Sequence, residues 1–224
     1  MERIVLAEEE RLDKIIFCDL ENLSLWNLPN LTSFCDGHLI EFCSLTNLSI
    51  DNCPVFKTFV SNHLSGYLFD EKVAFPSLED LLIINMSNLE RIWHNQLAGG
   101  SFCMLKSMTV EKCENLHTLF PSNDLRRFQK LEQLNLKNCD SLEEIYQLPE
   151  FNAEEESFAI DLNLRSMKIR DLKNLKNLFP ASVEHKTFYY LKSLVYTLVG
   201  WRRLLQRQKV QKQPLLLCSQ NCSP

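Results

Sequence analysis

Residues 128–146 read FQKLEQLNLKNCDSLEEIY, and their spacing decides the fold. Phe128 is followed by Leu131 and Leu134, then Leu136 after a single residue, then Cys139, Leu142 and Ile145 at intervals of three. Leu134 and Leu136 alternate across Asn135, the period of a short strand with one buried side. An amphipathic helix needs apolar residues recurring at three and four places over about 11 to 18 residues. The template recurs in FCDLENLSLWNLPNLTSF from Phe17, FCSLTNLSIDNCPVFKTF from Phe42, FPSLEDLLIINMSNLERIW from Phe75 and FCMLKSMTVEKCENLHTLF from Phe102. A copy from Leu162 has Asp161 in place of Phe, and FYYLKSL from Phe188 begins one more.

The strand aliphatic falls at Leu23, Leu48, Leu81, Met108, Leu134, Met167 and Leu194, in steps of 25, 33, 27, 26, 33 and 27 residues. A unit of that length and spacing marks a leucine-rich-repeat solenoid. The expected class is α/β: a right-handed curved horseshoe, short parallel strands on its concave face, and a mostly irregular convex side. Leu81, Ile83, Leu134, Leu136, Met167 and Ile169 should be buried, each contributing roughly 1.5–3 kcal/mol. Phe17, Phe42, Phe75, Phe102 and Phe128 recur six residues before the strand aliphatic and predict a stacked aromatic spine. Cys53, Cys113 and Cys139 share a packed turn slot that Leu28, Met86 and Leu172 fill elsewhere, so that slot asks for no thiol chemistry.

Seven repeats in one register predict one domain over residues 1–194. Met1 to Val5 matches the repeat ending Leu142 to Tyr146, so the chain reads as starting in mid-repeat, its first Met internal to a longer ancestor. After Leu194 the sequence turns basic and Gln-rich, and residues 195–224 read as a divergent, poorly ordered tail. The alternative is a basic amphipathic helix built on Trp201, Leu204, Leu205 and Val210. The two long steps hold insertions at 61–74 and 148–160, both polar and acidic, and both read as solvated loops.

A net charge of −5 argues for neither nucleic acid nor a membrane surface. No stretch reaches about 18 apolar residues, so no transmembrane segment is expected. The acidic N-terminus lacks the apolar core of a secretory signal. Nine cysteines, an odd count, fit a reducing cytoplasm better than a disulfide framework. Cys218 and Cys222 lack a second ligand pair at zinc spacing. His38, His63, His94, His117 and His185 stand singly, and no phosphate loop or nucleophile elbow occurs. The expectation is no enzyme, no metal and no cofactor.

The runs CPVFKTF, FPSLEDLLIINMSNLERIWHNQL, CENLHTLFP and CDSLEEIY resemble the leucine-rich-repeat region of plant coiled-coil, nucleotide-binding, leucine-rich-repeat disease-resistance proteins. The resemblance implies a cytoplasmic, non-catalytic sensing module, here without the nucleotide-binding domain. Its partner is then a pathogen effector, a guarded host protein, or the receptor's own nucleotide-binding domain, which it holds inactive. Two alternatives are a substrate-recognition module of a ubiquitin ligase, for which no F-box helix precedes Phe17, and a truncated product without selected function. Side chains flanking the buried strand positions give the candidate protein-binding residues Trp26, Leu82, Ile84, Glu111, Lys137, Lys168 and Arg170.

Overall fold

The computed structural model describes residues 2–5, 14–61, 66–120, 125–146, 163–176 and 192–197. In chain order the strands are β1 (Lys14–Phe17), β2 (Asn22–Trp26), β3 (Ser33–Asp36), β4 (Leu39–Phe42), β5 (Asn47–Asp51), β6 (Thr58–Ser61) and β7 (Val73–Ala74). They continue as β8 (Asp80–Ile84), β9 (Ser107–Glu111), β10 (Thr118–Phe120), β11 (Gln133–Lys137), β12 (Glu144–Tyr146), β13 (Ser166–Arg170) and β14 (Ser193–Thr197). A seven-stranded sheet runs β14-β13-β11-β9-β8-β5-β2, with every pair parallel. Leu23, Leu48, Leu81, Met108, Leu134, Met167 and Leu194 lie directly opposite one another across it, the register read from the template. Leu81, Ile83, Leu134, Leu136, Met167 and Ile169 are buried as expected, while Leu23, on the edge strand, is half-buried.

Two of the expectations change. The only helical element among the described residues is a 3-10 turn at Leu125–Phe128, so over these residues the expected α/β class reduces to parallel β-sheet with almost no helix. The return legs, expected to be mostly irregular, carry short parallel sheets: β1-β4-β7, β3-β6 and β10-β12. From Asn138 to Tyr146 nine residues take the chain through the turn to the end of β12, and this leg is spanned by turn and extended backbone. In-phase stacking places extended backbone beside extended backbone, which then pairs.

Each strand of the main sheet that is followed by described residues ends in a left-handed residue. Asn27, Asn52, Asn85, Lys112, Asn138 and Asp171 all have φ of 53–54°. Asn and Asp accept that conformation because their short side chains hydrogen-bond locally. Asn52 Nδ2 donates to Asn27 Oδ1 (2.5 Å) and Asn85 Nδ2 to Asp51 Oδ1 (2.7 Å). The turn also extends the ladder, since the amides of Asn27, Asn52, Asn85, Lys112 and Asn138 donate to the last strand residue of the next repeat. Lys112 is the misfit, a long side chain in a conformation that costs it about 1–2 kcal/mol. Lys112→Asn should therefore stabilise the protein by about 0.5–1 kcal/mol, and Lys112→Val should destabilise it. Denaturant midpoints that rank these three otherwise would refute the assignment.

Inside the turn, Cys53, Cys113 and Cys139 are fully buried, their thiols donating to the carbonyls of Asp51, Glu111 and Lys137 at 3.5 Å. The rest of the core holds two aromatic ladders. The expected one, the front ladder, whose rings stand ahead of the sheet strands in sequence, runs Phe17–Phe42 (4.9 Å), Phe42–Phe75 (5.1 Å) and Phe75–Phe102 (5.5 Å) between ring centroids. Phe128 joins it through Trp93, which lies 4.7 Å from Phe102 and 5.0 Å from Phe128. A second, the back ladder, was not foreseen: Phe34, Phe59, Phe69, Trp93, Phe120 and Tyr146, with successive centroids 5.3–6.5 Å apart. Burial pushes the Tyr146 hydroxyl well above the usual phenol range.

Phe69 sits in the first insertion, which corrects the reading of residues 61–74 as a solvated loop. Leu68, Phe69, Asp70 and Val73 are buried there, and Val73 begins β7. The second insertion and the tail beyond Thr197 lie outside the described residues, while β14 runs through 195–197, past the expected boundary. At the other end Val5 bridges to Cys35 and Thr32 N donates to Glu2 O (2.9 Å), so residues 2–5 occupy the repeat-ending position read from their likeness to 142–146.

Candidate protein-binding face

The outward residues of the seven-stranded sheet form columns. One column runs Trp26, Asp51, Ile84, Glu111, Lys137 and Arg170, strand partners throughout. A second runs Ser24, Ser49, Leu82, Thr109, Asn135, Lys168 and Val195. All seven candidate residues therefore lie on one surface. Trp26 and Arg170 are five strand spacings apart, about 24 Å at roughly 4.8 Å per strand.

Exposure divides the candidates. Trp26 is 66% exposed on the β2 edge, an unusual setting for the largest apolar side chain. Leu82 and Ile84 are half-buried on β8, with Asp51 separating Ile84 from Trp26. The apolar surface thus comes as two islands. Lys168 and Arg170 are exposed and make no ion pair among the described residues. Lys137 is different, because its Nζ lies 3.9 Å from Glu111 Oε2. The basic end read from Lys137, Lys168 and Arg170 is therefore carried by the last two.

The margins of the sheet follow the same logic of neighbour against neighbour. One residue before the sheet strands, Lys106 pairs with Glu79 (2.7 Å) and Arg165 with Glu132 (3.5 Å). Beyond the turns, Lys173 meets Asp140 and Lys176 meets Glu143, each at 2.5 Å. Lys176 holds the Glu143 carboxyl below its usual range, and Asp140 raises the Lys173 ammonium. These pairs are exposed, so each adds little stability. Their effect is to neutralise one another, so these four pairs add no net charge beside Lys168 and Arg170.

A family model described as plant disease resistance protein RPS2-like, leucine-rich repeats, matches residues 77–197, just over half of the 224-residue chain. The chain belongs to this leucine-rich-repeat family. No curated protein and no solved structure matches it. Leucine-rich repeats are in general non-catalytic protein-interaction modules, and the exposed columns of this one suit that use.

Sequence reasoning missed the groove beside the face. In these leucine-rich repeats the left-handed residues Asn85, Lys112, Asn138 and Asp171 line an open polar groove of about 450 Å³ along the strand ends. The signal was available, since Asn or Asp recurs four residues after nearly every strand aliphatic. Among the described residues no group of three or more His, Cys, Asp or Glu is placed to hold a metal ion, and no helix is long and apolar enough to cross a membrane. His63, His185, Cys218 and Cys222 lie outside the described residues.

Proposed function

We propose that this chain is the ligand-sensing, autoinhibitory repeat module of a plant intracellular immune receptor, cytoplasmic and without chemistry of its own. Its partner would be a pathogen effector, a guarded host protein or the receptor's own nucleotide-binding domain. The observation that carries this is a single outward sheet face with apolar anchors and an unneutralised basic end, Lys168 and Arg170. Aromatic and aliphatic anchors supply affinity while charges steer and select, so the partner should present an acidic edge. The repeat domain would span the residues 1–194 read from the template and run on to the end of β14 at Thr197, with the residues beyond as an appended tail.

A curved solenoid is part of the same proposal. Between Phe42 and Phe75 the front ladder takes one step of 5.1 Å, whereas from Phe59 to Trp93 the back ladder takes two, of 5.5 and 5.3 Å through Phe69. The extra ring lengthens the second ladder at the insertion, and the proposed curvature, with the candidate face on the concave side, follows the repeat template.

The experiment is charge reversal, Lys168→Glu with Arg170→Glu, in the parent receptor. Two like charges turned against an acidic partner should weaken binding at least tenfold and alter resting activity. A folded double variant that changes neither would remove this face from the proposal.

A further inference from the structure

Cys18 and Cys43 occupy equivalent places in the first two repeats, each following a stacked phenylalanine. Phe17 and Phe42 are strand partners in β1 and β4, and Cys43 N donates to Phe17 O at 3.0 Å, so the parallel ladder continues to the two cysteines. Residues in register on neighbouring parallel strands project their side chains to the same side, so the two thiols are neighbours. Neighbouring parallel strands lie about 4.8 Å apart, inside the Cα separation of roughly 4.4–6.8 Å that a disulfide spans. Cys18 is exposed and Cys43 is half-buried, and both are free. Cys113 and Cys139 also stack in successive repeats but are buried. In the column of Cys18 and Cys43 the next repeat has Pro76, so the exposed Cys103 that follows Phe102 has no thiol beside it in the column.

We propose that Cys18 and Cys43 form a redox-modification site, closing a disulfide between the first two repeats on exchange with a low-molecular-weight disulfide. One cysteine thiolate attacks a sulfur of the oxidant, which leaves as one thiol, and a mixed disulfide remains on the protein. The second thiolate attacks the protein-bound sulfur and releases the second thiol. The protein loses two electrons and two protons, which the oxidant gains. Register rather than chance makes the second step fast, because the attacking sulfur already stands beside its target. Burial, with Glu41 and Cys18 adding, pushes the Cys43 thiol up, so exchange should quicken as the pH rises.

The test is to incubate the full chain with oxidised glutathione, quench with an alkylating reagent and map peptides after cleavage at Glu21 and Glu41, which separates the two cysteines. The expected product is a Cys18–Cys43 cross-link about 2 Da below the summed reduced peptides, with glutathione on Cys103 and not on Cys18 or Cys43. Cys43→Ser should shift Cys18 from the cross-link to a glutathione adduct, and Cys18→Ser should do the same for Cys43. Glutathione carried separately by Cys18 and Cys43 in the unsubstituted chain would overturn the proposal. So would two thiols that stay fully alkylatable when Cys103 is already modified.

Discussion

Phe102→Ala should destabilise the protein by about 3–5 kcal/mol, the cost of removing a fully buried aromatic ring and leaving its cavity. Phe102 is 0% exposed, and it touches Trp93, Phe69 and Phe75 at centroid distances of 4.7, 5.0 and 5.5 Å, so its ring joins the front ladder to the back one. A repeat stack is stabilised by interfaces between neighbours, and loss of this ring weakens two of them. Backbone conformation gives an internal control. Phe102 has φ of 64°, which an alanine finds as strained as a phenylalanine does but a glycine does not. At an ordinary buried site glycine is worse than alanine by about 0.5–1 kcal/mol. Here Phe102→Gly should be no worse than Phe102→Ala. Urea unfolding followed by tryptophan fluorescence and by circular dichroism reads both, and a loss below about 1 kcal/mol for Phe102→Ala would show that the ladders do not depend on this ring.

What the sequence made legible, and what it hid, follows from the kind of slot each residue fills. Leu134 and Leu136 alternate over a fixed spacing and face one apolar column, so apolar pattern alone places them. The front phenylalanines were equally plain, always six residues ahead. The back ladder was obscured because its rings change identity and drift by one place. Phe34 and Phe59 follow the strand aliphatic by 11 residues, whereas Trp93, Phe120 and Tyr146 follow it by 12. Packing needs a ring there but tolerates a shift, whereas a template of fixed positions does not. The left-handed turn was hidden for another reason. Its Asn or Asp is polar, so a search for apolar recurrence passes over the one position where the backbone itself is demanding. On the candidate face the columns were readable, but their electrostatics were not. Whether Lys137 counts as a free charge depends on Glu111 one strand away, 26 residues earlier in sequence.

The first insertion supplies the second large effect. Phe69→Ala should cost about 3–5 kcal/mol, because Phe69 is 0% exposed and meets Phe102, Trp93, Phe59 and Phe75 at 5.0, 5.3, 5.5 and 5.5 Å. The backbone around it is equally committed. Leu68 N donates to Arg91 O, Phe69 N to Ile92 O (2.9 Å), and His94 N returns a bond to Phe69 O (2.8 Å). Asp70 goes in with them, accepting from Lys72 N at 3.0 Å, although burial raises its carboxyl. A polar, acidic stretch was read as solvent-facing on average composition, yet two apolar side chains in a row were enough to draw its middle into the core. Burying Leu68 and Phe69 contributes about 1.5–3 kcal/mol each, which outweighs the modest cost of a long closing loop. A solvated loop would respond to Phe69→Ala by no more than about 0.5 kcal/mol. The two readings thus differ several-fold in one measurement. The neighbouring exposed change Glu71→Ala should leave stability within about 0.5 kcal/mol, since the Glu71 side chain is 49% exposed and meets His94 only at 3.5 Å. If Phe69→Ala and Glu71→Ala prove equally mild, the insertion is an appendage and Phe69 is not a rung of the core.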